Sequence, residues 1–342
     1  MKLLTFAVPC YNSASYMRKC IDSLLIGGND VEIIIINDGS NKDNTAEIAN
    51  EYADKYPDIV SVVHKENGGH GSGVNKGVEL ASGLYFKVVD SDDWVNPDAL
   101  LALMQRIKED LKTKTQVDLY ITNFVYEHVS DNSSFVRNYA KFFSRSEVVT
   151  WNGLSPMKYS SSLLMHSLVY RLAPLRESGV KLPEKTFYVD NIFAYVPLPY
   201  MKKIVYLDID LYRYFIGRDD QSINKANFVA RYSQQMLGNI EMFKAYSWDQ
   251  MKKFPKQLRR YMIHCLKIIT GNTICFTTGK DSPERRKDLK EMWKTFKKSD
   301  RKLFLKLKYR TWLIIPNSLV WPIKAWIVMS AYNHFAKKLK LG

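Results

Sequence analysis

The amino-acid sequence predicts an α/β fold: a mostly parallel sheet with helices on both faces, followed by a basic helical C-terminal region. Three observations lead there. Strand-sized apolar runs alternate with helix-spaced apolar stripes through the first hundred residues. The runs are apolar along their whole length rather than at every second residue, as in strands covered on both faces. Charge is divided unevenly: residues 1–110 carry 10 Lys+Arg and 17 Asp+Glu, net −7, and the remainder carries net +22.

The elements follow in order. Leu3 to Val8 is the first run and stops at Pro9. Met17, Cys20, Ile21, Leu24 and Leu25 recur at helical spacing behind Asn12 or Ser13, either of which can cap a helix. Val31 to Ile36 is a second strand, nearly all β-branched. Thr45, Ile48, Ala49, Tyr52, Ala53 and Tyr56 mark a second helix, and Ile59 to Val63 a third strand. Gly68-Gly69-His70-Gly71-Ser72-Gly73 opens a third helix through Val74, Val78 and Ala81, and Tyr85 to Val89 is the fourth strand. This β-α-β order implies right-handed crossovers. Farther along, Val117–Tyr126 and Ser134–Phe143 read as strands, Ser155–Arg171 as a helix, and Ile204–Leu207 and Leu211–Phe215 as two more strands. Residues 1–223 read as one domain, divided near residue 115. Residues 224–342 read as the basic helical region.

In open parallel sheets, ligands bind outside the carboxyl ends of the strands. Here those ends are Pro9-Cys10-Tyr11-Asn12, Asn37-Asp38-Gly39-Ser40, Lys65-Glu66-Asn67-Gly68 and Asp90-Ser91-Asp92-Asp93. The last places three carboxylates within four residues. Such a cluster repels itself unless a cation neutralises it, and hard divalent cations prefer oxygen ligands. The competing reading is a solvated turn, with Asp93 or Asn96 capping a helix that starts at Pro97. Four polar strand ends in a row favour a nucleotide site.

Cys10, Cys20, Cys265 and Cys275 form no CxxC pair and no zinc-spaced cluster, so free thiols in a reducing compartment are expected. Met1 to Val8 reads as a strand rather than a cleaved leader.

With these residues in place, the chain resembles glycosyltransferase family 2, nucleotide-sugar-dependent enzymes with the Rossmann-like GT-A fold. The resemblance rests on Val8-Pro9-Cys10-Tyr11-Asn12, Ile36-Asn37-Asp38-Gly39-Ser40, Asn67-Gly68-Gly69 with Asn75-Lys76-Gly77, Asp90-Ser91-Asp92-Asp93, Val189-Asp190-Asn191-Ile192-Phe193, and Arg218 with Gln221-Ser222. They occur in the family's order over residues 3–224. The resemblance implies that Tyr11 stacks on the nucleotide base and Asp38 accepts a base N–H, with Pro9, Asn12, Asn67, Gly68 and Ser91 lining the nucleotide-sugar site. It implies a DxD motif in which Asp92 binds Mn²⁺ or Mg²⁺ directly, while Asp90 supports the ion or the ribose. Asp190 is implied as the catalytic base. Arg218 and Ser222 would close on the diphosphate, and Lys76 would reach it. His70 could touch the donor sugar. His166, on the helix expected before the base, could line the acceptor cleft. Two departures stand out: Val189 occupies the place where the family often has Glu, and Val74 the place of an Arg.

The implied activity is inverting, metal-dependent hexosyl or N-acetylhexosaminyl transfer. The donor would be a UDP-sugar, and the acceptor a cell-surface polysaccharide, lipid-linked glycan or teichoic-acid-like polymer. A sugar nucleotidyltransferase is the alternative enzyme, but it usually carries a Gly-rich basic loop where this chain has Pro9-Cys10-Tyr11-Asn12. A basic nucleic-acid-binding protein is the non-enzymatic alternative. Its positive charge would lie on the ligand face, which here is acidic. Residues 285–342 join a cationic run to Trp312, Trp321, Trp326 and Tyr332, interrupted by Pro316, Pro322 and Lys324. That composition suits an anionic membrane surface better than a spanning helix. A cytoplasmic enzyme peripheral to the inner face of the membrane is therefore expected. A packed subdomain or a homo-oligomer contact is the other use of such a tail.

Overall fold

The structure, a computed structural model, describes residues 2–128, 132–153, 155, 162–217 and 225–338. Two compact units result, one running to Gly217 and one holding the helices from Lys225 onward.

The first unit begins β1 (Leu4–Cys10), α1 (Met17–Leu25), β2 (Val31–Asp38), α2 (Thr45–Lys55), β3 (Val60–Lys65), α3 (His70–Leu80) and β4 (Tyr85–Val88). It continues with β5 (Trp94–Val95), α4 (Pro97–Lys112), β6 (Leu119–His128), β7 (Ser133–Arg137), β8 (Val148–Val149), β9 (Leu168–Arg171), α5 (Leu172–Glu177), α6 (Asp190–Tyr195) and β10 (Ile204–Ile216). Among the described residues these strands form one sheet in the order β3-β2-β1-β4-β9-β6-β10-β5, with β7 on β6 and β8 on β10. β1 pairs in parallel with β2 and β4, and β2 with β3, so the carboxyl ends of the first four strands share one edge. β1 and β4 are wholly buried, as their largely apolar sequences require, and Thr5 and Lys87 are buried with them. Asn96 caps α4 by accepting the Ala99 amide, and Pro97 follows at the first helical position.

The middle of the unit corrects the sequence reading. A helix is expected over Ser155–Arg171, of which residues 156–161 lie outside the described residues; in the described part Met165–Ser167 forms a single 3₁₀ turn and Leu168–Arg171 is a strand. β9 lies antiparallel between β4 and β6, buried on both faces. A short apolar run covered on both faces carries no alternation that separates it from a helix. The two strands expected over Ile204–Phe215 are one, β10, with register shifts at Asp210. There Asn123 Nδ2 donates to both Asp208 and Asp210 at 2.9 Å, which holds the bulge. The strand expected over Ser134–Phe143 ends at Arg137.

Two contacts fix the edges of the future site. α3 rides directly on β1: a Cβ placed on Gly77 would lie 2.5 Å from the Ala7 Cβ, and one on Gly73 3.0 Å from the Pro9 Cβ. β4 and β9 pair only through Tyr85–Arg171 and Phe86–Tyr170. Past that point Lys87, fully buried, bridges the gap, its Nζ donating to the carbonyls of His166 at 2.6 Å and Leu168 at 3.4 Å. Burial pushes the Lys87 pKa down to about 7, against the pull of Asp90.

The second unit comprises α7 (Lys225–Ala230), α8 (Tyr232–Ala245), α9 (Trp248–Met251), α10 (Lys256–Thr278), α11 (Pro283–Ser299), α12 (Arg301–Tyr309), α13 (Ile314–Ser318) and α14 (Trp321–Lys338). α10 packs against α8 and α14, and Phe243 of α8 stacks on Phe296 of α11 at 4.0 Å. Ser282 caps α11 and Asp300 caps α12. Among the described residues, no helix is long and apolar enough to cross a membrane.

Two outcomes follow for stability. Alanine is the better helix former by about 1 kcal/mol, but overpacking a core contact costs about 1–3 kcal/mol. Gly77→Ala should therefore lower stability in urea by up to about 2 kcal/mol, and adding Ala7→Gly should restore part of it. An unchanged midpoint would show that α3 can lift off β1. For Lys87, the unfolded chain holds a proton from pH 7 to about 10 that the folded chain has released. Stability conferred by the wild-type side chain should thus rise with pH across that window. The stability difference between wild type and Lys87→Met should grow correspondingly, and a gap independent of pH would mean the buried amine stays charged.

Candidate active site

The shared edge of β1, β2, β3 and β4 collects most of the expected residues. Tyr11 is 48% exposed at the end of β1, its amide donating to Ser13 Oγ at 3.1 Å. Its ring is thus open to stack on a planar ligand. Asn12 adopts φ +49°, a conformation that asparagine tolerates better than most residues. Its side chain accepts the amides of Asn41 and Lys42, each at 3.1 Å, so it holds the turn after β2. Pro9 lies buried under α3. Ser91 Oγ meets Ser13 Oγ at 2.8 Å and ties the acidic turn to the end of β1.

Asp38, the expected base acceptor, is almost wholly buried and heavily engaged. Oδ1 accepts from Lys65 Nζ at 2.5 Å and the Gly68 amide at 2.9 Å, and Oδ2 from the Gly69 amide at 2.7 Å. Asn67 Nδ2 donates to the Asp38 carbonyl at 3.0 Å. A carboxylate has about four acceptor sites, so Asp38 shapes the glycine turn first and has little left for a ligand. Gly69 has φ +80°, which glycine takes without strain.

The acidic turn splits its carboxylates between different environments. Asp90 is 23% exposed at its side chain and its Oδ1 lies 2.7 Å from His70 Nε2. Burial opposes the charged imidazole, but Asp90 outweighs it and raises the His70 pKa. Asp93, left undecided by sequence, is not a helix cap. Its Oδ2 accepts from the Tyr212 hydroxyl at 2.5 Å and its Oδ1 from the Phe215 amide at 2.8 Å. Burial and the neighbouring carboxylates of Asp92 and Asp90 push its pKa well above the usual carboxylate range.

His166 is not on a helix but in the 3₁₀ turn ahead of β9. Its ring stacks on Tyr212 at 4.7 Å and tilts against Tyr214 at 4.8 Å. Burial pushes its pKa down to about 4, which keeps the imidazole neutral at pH 7. Its buried Nδ1 has no hydrogen-bond partner. Asp90, Asp93 and His166 each bring one potential ligand atom within 4.8 Å of the others. A neutral imidazole with an orphaned nitrogen beside two carboxylates fits a divalent cation. Asp92, the expected direct ligand, is half-buried and outside that group.

Asp190 opens α6. Burial raises its pKa, His70 opposes the rise, and Asp90 adds to it. Lys76 pairs instead with Glu79 at 2.7 Å on the outer face of α3, about 9 Å of helix beyond its first residue. Arg218, Gln221 and Ser222 lie outside the described residues. Sequence reasoning missed Lys87 and Tyr212. A lysine inside an apolar strand was a readable anomaly at Lys87, whereas Tyr212 is one tyrosine in an aromatic-rich strand and gave no signal.

Residues 5–169 match the model of the family described as Glycosyl transferase family 2. Chondroitin synthase of Pasteurella multocida (strain Pm70) is 38% identical over 151 residues, which are 43% of this chain and 15% of that protein. The EpsH protein of Bacillus subtilis (strain 168) is 28% identical over 327 residues, covering 89% of this chain and 81% of EpsH. The crystal structure of S. aureus TarS 1–349 in complex with UDP-GlcNAc is similar at TM-score 0.67 and 19% identity, over 98% of this chain and 92% of that one. At that identity the likeness establishes the fold. Residues 5–169 are thus a glycosyltransferase family 2 domain, in a chain that has the GT-A fold.

Proposed function

We propose that this glycosyltransferase moves a sugar from a UDP-sugar to a hydroxyl of a cell-surface polysaccharide, with inversion and with Asp190 as the base. One observation carries the reading. His70 touches Asp90 and feels the charges of Asp190 and Asp92, so carboxylates from two distant segments converge on one ring. The acidic turn faces the donor and Asp190 the acceptor. An ordinary carboxylate is a weak base for an alcohol; burial of Asp190 raises its basicity toward the working pH. A single in-line displacement inverts the anomeric carbon and needs no covalent enzyme nucleophile. UDP-GlcNAc in TarS, and the polymer made by chondroitin synthase, support the donor and acceptor classes.

Mn²⁺ or Mg²⁺ is the cofactor this reading expects, held by Asp90 with Asp93 and His166, or with Asp92 as the family resemblance implies. The chemistry such a cation supplies is neutralisation of the departing diphosphate. Tyr212 holds Asp93 and packs on His166, and so orients two members of that set.

The second unit supports a peripheral place on an anionic membrane, at its inner face. On α13, on α14 and between them, Ile315 is 57%, Val320 65%, Ile323 49% and Trp326 72% exposed. Ile323 and Trp326 are three residues apart on α14, so they share a face, and Val320 immediately precedes that helix. Lys and Arg crowd the preceding helices. Exposed apolar anchors beside dense positive charge match an anionic lipid interface.

Asp190→Asn should cut turnover by about 10²–10⁴-fold while UDP affinity in calorimetry stays near wild type. Asp90→Ala should lose the Mn²⁺-dependent part of UDP binding. UDP binding that ignores both chelation and Asp90→Ala would refute the cation site, and His166→Ala set against Asp92→Ala tells the two donor sets apart. A panel of UDP-, GDP- and dTDP-sugars, read by nucleoside diphosphate release, identifies the donor. For the membrane face, the intact protein should float with phosphatidylserine vesicles and not with neutral ones. Trp326→Ser with Ile323→Ser should weaken flotation, and equal flotation of variant and wild type would remove the membrane assignment.

A further inference from the structure

The segment leading into Asp190 is built in an unusual way. Asn75 on α3 clamps its start, accepting the Leu182 amide and donating to the Leu182 carbonyl, both at 2.9 Å. Lys185 then donates its amide to the Gly68 carbonyl at 2.5 Å. The glycines of the donor-side turn leave room for this backbone: a Cβ on Gly69 would lie 3.1 Å from Lys185, and one on Gly71 2.5 Å from the Pro183 carbonyl oxygen. Lys185 has φ +50° and Tyr188 φ +63°. Neither is glycine, and left-handed backbone costs such residues about 1–2 kcal/mol each.

Between and beside these two residues the chain alternates. Thr186 and Val189 are buried, while Phe187 is 43% exposed and Tyr188 is half-buried. The rings of Phe187 and Tyr188 lie 6.3 Å apart. Anchors on both sides keep the pair turned outward, two residues before Asp190. An isolated exposed aromatic residue needs no explanation. An aromatic pair held outward by a clamped and strained segment, joined on one side to the nucleotide turn and on the other to the catalytic carboxylate, calls for a ligand.

We propose that Phe187 and Tyr188 form an acceptor subsite that takes the apolar face of a pyranose ring and presents its hydroxyl to Asp190. The axial C–H face of a pyranose is flat and apolar while its rim is polar, and an aromatic platform suits that face. The inference rests on Asp190 being the base.

The test is saturation-transfer NMR on the full chain with UDP present, using a panel of methyl pyranosides as probes. Wild type should transfer saturation to the C–H protons of one sugar face, Phe187→Ala should lose most of it, and Phe187→Trp should keep it. In transfer assays, the acceptor KM should rise about 3- to 10-fold in Phe187→Ala with kcat little changed. Equal saturation in Phe187→Ala and wild type, or none to any pyranoside, would overturn the subsite. Asp190→Asn should retain the NMR signal while losing transfer. Normal transfer by Asp190→Asn would instead overturn the base assignment.

Discussion

The Asp38 carboxylate is the contact on which the donor side depends. It sits at the end of β2 and draws in three donors, the Gly68 and Gly69 amides and the Lys65 ammonium. Those bonds bend the turn between β3 and α3 so that the Gly68 carbonyl can receive Lys185. From Lys185 the chain is committed within five residues to Asp190. One buried anion at a strand end thus aligns two segments about 120 residues apart in sequence, and most of its energy comes from charge-assisted bonds in a dry setting. Removing it would leave two buried amides and an ammonium without their acceptor, a larger loss than the net worth of the bonds themselves.

The site also shows how one residue type is given three behaviours. Asp90 is held in its charged form: burial opposes the charge, but His70 prevails and lowers its pKa. Asp93, dry and beside like charge, is pushed the other way. Asp190 lies between, raised by burial and partly restrained by His70. Environments that separate the protonation of neighbouring carboxyl groups let them take different parts in one reaction. His70 is common to two of these balances, which gives a loop histidine a larger part than its place in a glycine-rich stretch suggests.

The first four strands and the edge they share were legible because burial on both faces leaves an unbroken apolar run, and because the polar residues interrupt only at strand ends. The rest was harder for definite reasons. β9 has the composition of a buried helix and becomes a strand only because β4 and β6 need something between them. The bulge in β10 depends on Asn123, some eighty residues earlier. Asp92 and Asp93 are adjacent in sequence, and Asp93 is held by Tyr212 and Phe215, which no local pattern connects to the turn. Lys76 has the charge for a phosphate but faces Glu79. The two backbone strains at Lys185 and Tyr188 leave no mark in residue type.

The absence of side chains between α3 and β1 has a mechanical meaning. Most helices rest on a sheet through a layer of side chains that can change rotamer and absorb small displacements. At Gly73 and Gly77 that layer is missing, and backbone sits on Ala7 and Pro9 with no compliant spacer. The joint is stiff, so the helix and the strand move as one body and opening there requires breaking the sheet contact itself. The glycine turn at the head of α3 inherits that stiffness, and with it the donor edge. Any adaptation to ligand shape is left to the segments that α3 merely clamps.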